Sequence, residues 1–260
     1  MIDWTGKRAL VTGAASGIGK ALAQALAARG AELVVSDRSE GPLRALAAEI
    51  GAHAIVCDLG DPSAPAALVG EALAHAGGLD FIASNAGVGR NKKVVNESFD
   101  DPVMGQLFAV NLFAGLKLAQ AYVRALDGRP GRIMFTASEN SLSVPTAVRG
   151  AGLGLYGATK HGLLIAAEWM RDELAPKGVD VHVLMPGAVY TGLTAPKIPD
   201  PAAAPKALDL IMPEECAARA LRGLDLGLFY IPTQPHLADD MAPRMEGVRA
   251  AIEALGLSSR

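Results

Sequence analysis

Tyr156 and Lys160 stand four residues apart in the run Tyr156-Gly157-Ala158-Thr159-Lys160, and Leu163, Leu164, Ala167, Met170 and Leu174 follow at the spacing of one helical face. Residues at i and i+4 lie one turn apart on the same side of a helix, so an ammonium is set beside a phenol. A neighbouring cation favours phenolate and lowers the tyrosine pKa from its reference of about 10. Reaching about 7 takes roughly 4 kcal/mol, at about 1.4 kcal/mol per unit. A tyrosine tuned in this way exchanges a proton at neutral pH. Taken alone, the pair reads as two neighbouring surface side chains. Two further polar residues bear on the choice. Ser138 closes a short apolar run, Gly131 to Ala137, and its hydroxyl is able to donate to a carbonyl or alkoxide. Asn111 falls inside a long apolar stretch of helical pattern, Pro102 to Leu126, where its amide competes with the backbone. It reads as a satisfied buried amide, a kink, or a group that holds a water near the site.

The elements that must position these residues alternate along the chain. Arg8–Thr12 reads as a buried strand, followed by the turn Thr12-Gly13-Ala14-Ala15-Ser16-Gly17-Ile18-Gly19 and a helix that ends at Gly30. Gly13 permits the tight turn, Gly17 lets a phosphate approach the backbone, and Gly19 lets helix and strand pack closely. The helix start offers N–H groups and partial positive charge to a pyrophosphate. Ala31–Ser36 reads as the second strand, with Asp37 at its end, where a carboxylate accepts from ribose hydroxyls and repels a 2′-phosphate. NAD is therefore expected over NADP, and Ser16, which is no base, agrees; Arg38 reads as a solvated loop charge. Further strands are expected at His53–Cys57, Leu79–Ser84, Gly131–Ala137, Val179–Met185 and Leu228–Ile231, about seven in all. Between them helices are expected at Leu43–Ile50, Pro62–Ala76, Pro102–Leu126, Leu155–Leu174 and Pro213–Leu224, with a terminal helix over Asp239–Leu255. Such alternation implies right-handed crossovers and a parallel sheet whose ligands sit at the carboxyl ends of the strands. The glycine turn, Asp37, Asp58 and Asn85 all fall at such ends.

Composition narrows the function classes. With 24 basic and 27 acidic residues, a net charge of −3 and no basic tract, nucleic acid has little support as a partner. The two cysteines, Cys57 and Cys216, lie far apart and outside any CxxC spacing. With no signal-peptide pattern, free thiols in a cytoplasmic setting are expected. No uninterrupted apolar run reaches the ~18 residues of a membrane span. His236 has no companion residues for a metal, so none is expected.

Taken together, Thr12–Gly19, Asp58, Asn85-Ala86-Gly87, Asn111, Ser138, Tyr156 with Lys160, and Pro186-Gly187 with Thr191 resemble the short-chain dehydrogenase/reductase family. They occur in that family's order over roughly residues 5 to 195. The resemblance implies a single domain over 1–260 with a Rossmann-type, doubly wound parallel α/β sheet and helices on both faces. It implies Tyr156 as general acid/base, Lys160 as the cation that lowers its pKa and bonds the nicotinamide ribose, Ser138 as holder of the substrate oxygen, and Asn111 as anchor of a water relay. It also implies cofactor contacts from Gly13, Ser16, Gly17, Ile18, Gly19, Asp37, Asp58, Leu59, Asn85, Ala86, Gly87, Tyr156, Lys160, Pro186, Gly187, Val189 and Thr191. Ser138 to Tyr156 is longer than the family's usual interval, and Ser143 would restore it. Ser138 is preferred because it follows the strand directly; Ser143 and then Ser141 stay open. The excess falls in 141–154, an inserted loop expected to border the substrate. Glu139 and Asn140 are expected to be solvated, or else to meet substrate.

The implied activity is NAD-dependent interconversion of a secondary alcohol and its ketone. The apolar character of the segments around 144–155 and 191–213, the latter a Pro-rich candidate lid, favours a hydrophobic or aromatic substrate. A non-catalytic NAD-binding sensor or scaffold, and a dehydratase or epimerase of the same family, are the alternatives. A homodimer or homotetramer through Pro102–Leu126 and Leu155–Pro176 is implied. The Met241, Met245, Val248, Ile252 stripe reads as core or subunit contact.

Overall fold

The computed structural model describes residues 1–257. Seven strands form one sheet in the order β3-β2-β1-β4-β5-β6-β7, and every pairing is parallel. The strands are β1 (Arg8–Thr12), β2 (Glu32–Asp37), β3 (His53–Val56), β4 (Phe81–Ser84), β5 (Gly131–Thr136), β6 (Val179–Met185) and β7 (Tyr230–Pro232). Most are short apolar runs, as expected of strands covered on both faces. Successive side chains point to opposite faces, and the core divides accordingly. Leu10, Val34, Ile82, Ile133 and Phe135 face one layer, formed by α3 (Ala64–Ala76), α5 (Ala114–Leu126) and α6 (Gly154–Leu174). Ala9, Val11, Val35, Phe81 and Met134 face the other, formed by α1 (Gly17–Ala28), α2 (Glu40–Ile50) and α7 (Pro213–Asp225). The expected Rossmann-type architecture is thus present, a doubly wound sheet with helices on both faces.

The chain runs outward from β1 to β3 and then crosses back to β4 on the other side of β1. The crevice at the carboxyl ends of β1 and β4 is therefore a topological switch point, the place where such sheets accept ligands. Register lines up the edge, with Val11 beside both Val35 and Ala83.

Two expectations about elements change. The stretch read as one helix, Pro102–Leu126, is α4 (Pro102–Phe108), a wide π-turn (Ala109–Phe113) and α5. The break centres on Asn111. Its side-chain oxygen accepts from the Val88 N–H at 2.8 Å, and its Nδ2 donates to the Val88 carbonyl at 2.9 Å and to Thr159 Oγ1 at 3.2 Å. The buried amide is satisfied, and the helix widens so that it reaches strand β4's trailing loop. By length and by the hydropathy of an 18-residue window within it, Pro102–Leu126 also passes for a membrane span, contrary to the sequence reading. Here its Ala114, Leu118, Ala119 and Tyr122 are buried against the sheet. The terminal helix, α8 (His236–Ala254), begins at His236, which therefore lies in a helix's first turn and not in a loop.

Candidate active site

One cavity of about 570 Å³ opens along the carboxyl edge of the sheet, from the glycine turn to the start of α6. At its first end, Gly13 and Gly17 hold the left-handed φ values of 65° and 53° that side chains avoid. A Cβ on Gly13 would meet Ala86 Cα at 2.8 Å, and one on Gly17 would meet Thr191 Cγ2 at 3.0 Å. The turn is thus wedged between the ends of β4 and β6. Ser16 precedes α1 without capping it, and the first turn holds no acidic residue. Its N–H groups are left for an anion, with the helix dipole behind them. Ile18 borders the same space, whereas Gly19 packs behind against the Gly13 carbonyl and Asn85.

Asp37 closes this end. Its carboxylate accepts from the Ala15 N–H at 3.2 Å and from the Ser39 N–H at 2.9 Å, and it borders the cavity. Asn85 ties three strands at the edge. It donates to the Thr12 carbonyl at 3.1 Å and accepts from Thr136 Oγ1 at 3.1 Å. Ala86 and Gly87 continue the wall, with Pro186, Gly187, Val189 and Thr191 opposite. Asp58 and Leu59 stand on the same edge but outside that wall. Asp58 caps its own turn through the Gly60 N–H at 2.9 Å, and Leu59 is in the core, because β3 is the outermost strand.

Ser138, Tyr156 and Lys160 meet at the other end of the cavity. Lys160 is 3% exposed, and its Nζ donates to the Thr136 carbonyl at 2.7 Å. Burial pulls its pKa down to about 8. Nζ lies 6.0 Å from the centre of the Tyr156 ring. The phenol does not follow the sequence expectation. Burial raises its pKa, Ser138 works to lower it, and the charge of Glu139 raises it further. Desolvation wins because the ammonium stands off the ring and is itself drawn to Thr136.

Ser138 is also buried, and it accepts at Oγ from the Asn140 N–H at 3.2 Å and from Asn140 Nδ2 at 3.3 Å. Both acceptor positions of the hydroxyl are used, so its hydrogen is left to be donated. Ser141 is turned inward, accepting from the Ser138 N–H at 3.1 Å, and Ser143 lies outside the cavity wall with its hydroxyl buried and unpaired. Asn111 likewise does not border the cavity; its side chain fixes Val88, the residue directly after the Asn85–Gly87 wall.

Several neighbours were not foreseen. Glu139, expected to be solvated, is 7% exposed and pairs with His236 Nε2 at 2.9 Å. Gln234 accepts from the Gly187 N–H at 2.7 Å and donates to the carbonyls of Ala188 at 2.9 Å and Asp209 at 3.1 Å. It thereby clamps the base of the segment 191–211, which is also closed by a bridge between Val189 and Ile211. That segment holds two short 3-10 turns, Pro201–Ala203 and Lys206–Leu208, and gives Leu193, Ile198 and Leu208 to the cavity. The loop 141–154 gives Ala147, Val148 and Leu153, held at Thr146 by Asp240 of α8. The only signal for Gln234 was its place between β7 and α8.

The family model described as short chain dehydrogenase matches residues 7–202. The chain is 40% identical over 200 residues to 1-deoxy-11-beta-hydroxypentalenate dehydrogenase of Streptomyces avermitilis, covering 73% of this chain and 72% of the relative. Among solved structures, a short-chain dehydrogenase from Burkholderia cenocepacia in complex with NADP superposes with a TM-score of 0.76 at 30% identity, over 89% of this chain and 97% of the other. A short chain dehydrogenase/reductase from Burkholderia phymatum in complex with NAD gives a TM-score of 0.84 at 24% identity, over 96% and 97%. The alternating fold, the glycine-lined crevice and these matches agree, and the chain belongs to the short-chain dehydrogenase/reductase family of oxidoreductases.

Proposed function

We propose that this protein interconverts a secondary alcohol and its ketone with a nicotinamide dinucleotide, NAD in preference to NADP. The observation that carries the reading is one continuous cavity with an uncapped helix start at one end and Ser138, Tyr156 and Lys160 at the other. The wedged glycine turn leaves no room for side chains where a diphosphate would approach, so the residues present fit the dinucleotide. When bound, the cofactor accepts or supplies the hydride. The chain does the rest. Ser138 donates its free hydrogen to the substrate oxygen. Tyr156 takes the hydroxyl proton in oxidation and returns one in reduction. Lys160, whose ammonium bonds only the Thr136 carbonyl among the described residues, keeps donors for ribose hydroxyls and stabilises the phenolate once water is displaced. The Asn111 region is proposed to hold a water on the path to Lys160. Asp37 supports NAD, because a 2′-phosphate would face its carboxylate. The apolar residues from 147–153 and 193–208 favour a hydrophobic substrate body, and the segment 191–211 is proposed as its lid.

The test is an NAD-coupled screen of secondary alcohols with the parent chain and with Tyr156→Phe. The variant is expected to lose roughly 10²–10⁴-fold in turnover, while NAD binding, followed by titration, stays within a few-fold. Undiminished turnover in Tyr156→Phe would sink the assignment, and a preference for NADP would overturn the reading of Asp37.

A further inference from the structure

Glu139 directly follows Ser138 and borders the cavity, yet its side chain is 8% exposed. One carboxylate oxygen, Oε2, is engaged by His236 Nε2 at 2.9 Å. Among the described residues nothing pairs with the other, and it is not among the sealed, partnerless polar atoms, so it is not shut off from solvent. The side chain is held in place from several sides. The Glu139 N–H donates to the Pro186 carbonyl at 2.8 Å, and a Cβ on Gly187 would lie 3.1 Å from Oε2. His236 stands in the first turn of α8, itself fixed through Asp240 to Thr146. Nothing in the proton chemistry of Tyr156 uses this group; its charge even opposes the phenolate.

A largely buried carboxylate oxygen without a donor is costly, and among the described residues no side chain of the wall, Asn140, Arg149 and Lys197 included, bonds it. A ligand that brings a donor would satisfy it. Ser138, the preceding residue, is the proposed holder of the reacting oxygen, so such a donor would lie near the reacting carbon. A cation is a poorer match than a neutral group, because the imidazole already supplies a partner to the carboxylate and burial raises the carboxyl's pKa.

We propose that Glu139 is a specificity-determining residue whose free oxygen accepts a hydrogen bond from a second substrate hydroxyl. The substrate class is then a vicinal diol or its α-hydroxy ketone, carried on an apolar body. This rests on the hydride-transfer reading above and narrows it.

The experiment compares isosteric pairs that differ by hydroxyl against methyl, such as 1-phenyl-1,2-ethanediol and 1-phenyl-1-propanol, together with shorter aliphatic pairs, in NAD-coupled assays. For the parent chain, kcat/KM for the diol is expected to exceed that for the methyl analogue at least about tenfold, since sites built to bond a hydroxyl reject analogues that lack it. In Glu139→Leu the ratio collapses towards one. In Glu139→Gln, the variant of nearly equal shape, it falls partway, through KM for the diol. In His236→Gln, which removes the brace and keeps the carboxylate, the ratio holds within about threefold. A parent ratio near one, or a ratio unmoved in both Glu139 variants, overturns the proposal and leaves hydride transfer standing. Failure of every alcohol and diol to reduce NAD overturns the reading beneath it, and this inference with it.

Discussion

Lys160 brings a charge into a place with a single carbonyl to receive it. Its pKa of about 8, against the ordinary 10.5, is a statement about stability. Below about 8 both folded and unfolded chains carry the charge, and the folded one bears the whole cost, about 3 kcal/mol at about 1.4 kcal/mol per unit. Between about 8 and 10.5 the folded protein has released a proton that the unfolded chain still holds, so stability rises with pH. Lys160→Met is therefore expected to resist urea at pH 7 at least as well as the parent. The parent's rise in stability towards pH 10 should flatten in the variant, and activity should fall by roughly two orders of magnitude or more. The pairing of phenol and ammonium was legible, because a helix sets i beside i+4. The sign of the phenol's shift was not. It depends on how much of the chain closes over the pair: burial is the largest cause, and Glu139, which adds to it, lies 17 positions from Tyr156.

At the scale of elements, the strands were readable because each is a short apolar run stopped by turn chemistry, and parallel pairing follows from the helices between. The π-turn at Asn111 was not readable as such, since its cause is the Val88 backbone 23 positions earlier. Glu139 and His236 are separated by 97 positions, and Gln234 serves residues 46 and 47 positions back. No local pattern marks such contacts. Gln234 is the most consequential of them, for it joins β7 to the loop after β6 and to the base of the segment 191–211. Gln234→Leu leaves the Gly187 N–H and the Ala188 and Asp209 carbonyls without that partner. A loss of about 1–3 kcal/mol is expected in denaturant unfolding, the cost of one group left bare, because the Gly187 N–H keeps Thr233 Oγ1 and the Ala188 carbonyl keeps the Ile211 N–H. KM for substrate should rise more than kcat falls, because the lid's footing and not the proton donor is disturbed; an unchanged KM would argue against the clamp.

At the scale of the molecule, large apolar side chains remain in water at the end of the π-turn and on the outer face of α6. Phe113, Ile165 and Trp169 are 51%, 48% and 67% exposed, and the latter two lie one turn apart. Together with Met245, Val248 and Ile252 along α8, they leave apolar surface that a second copy of the chain would cover. Of the two sequence readings for the α8 stripe, core is ruled out by that exposure. We expect sedimentation to find a dimer or larger species, and Ile165→Glu with Trp169→Glu to shift it towards monomer. A monomeric parent at micromolar concentration would contradict this.

Asp37 has two tasks that cannot be separated. The carboxylate that would read a ribose is also the strut between Ala15 of the glycine turn and Ser39. An engineer who replaces it to admit a phosphorylated coenzyme removes a repulsion and a support in one stroke. Swapped preference should then arrive with weakened grip on both coenzymes, and recovering that grip calls for a second change that braces the Ala15 amide anew.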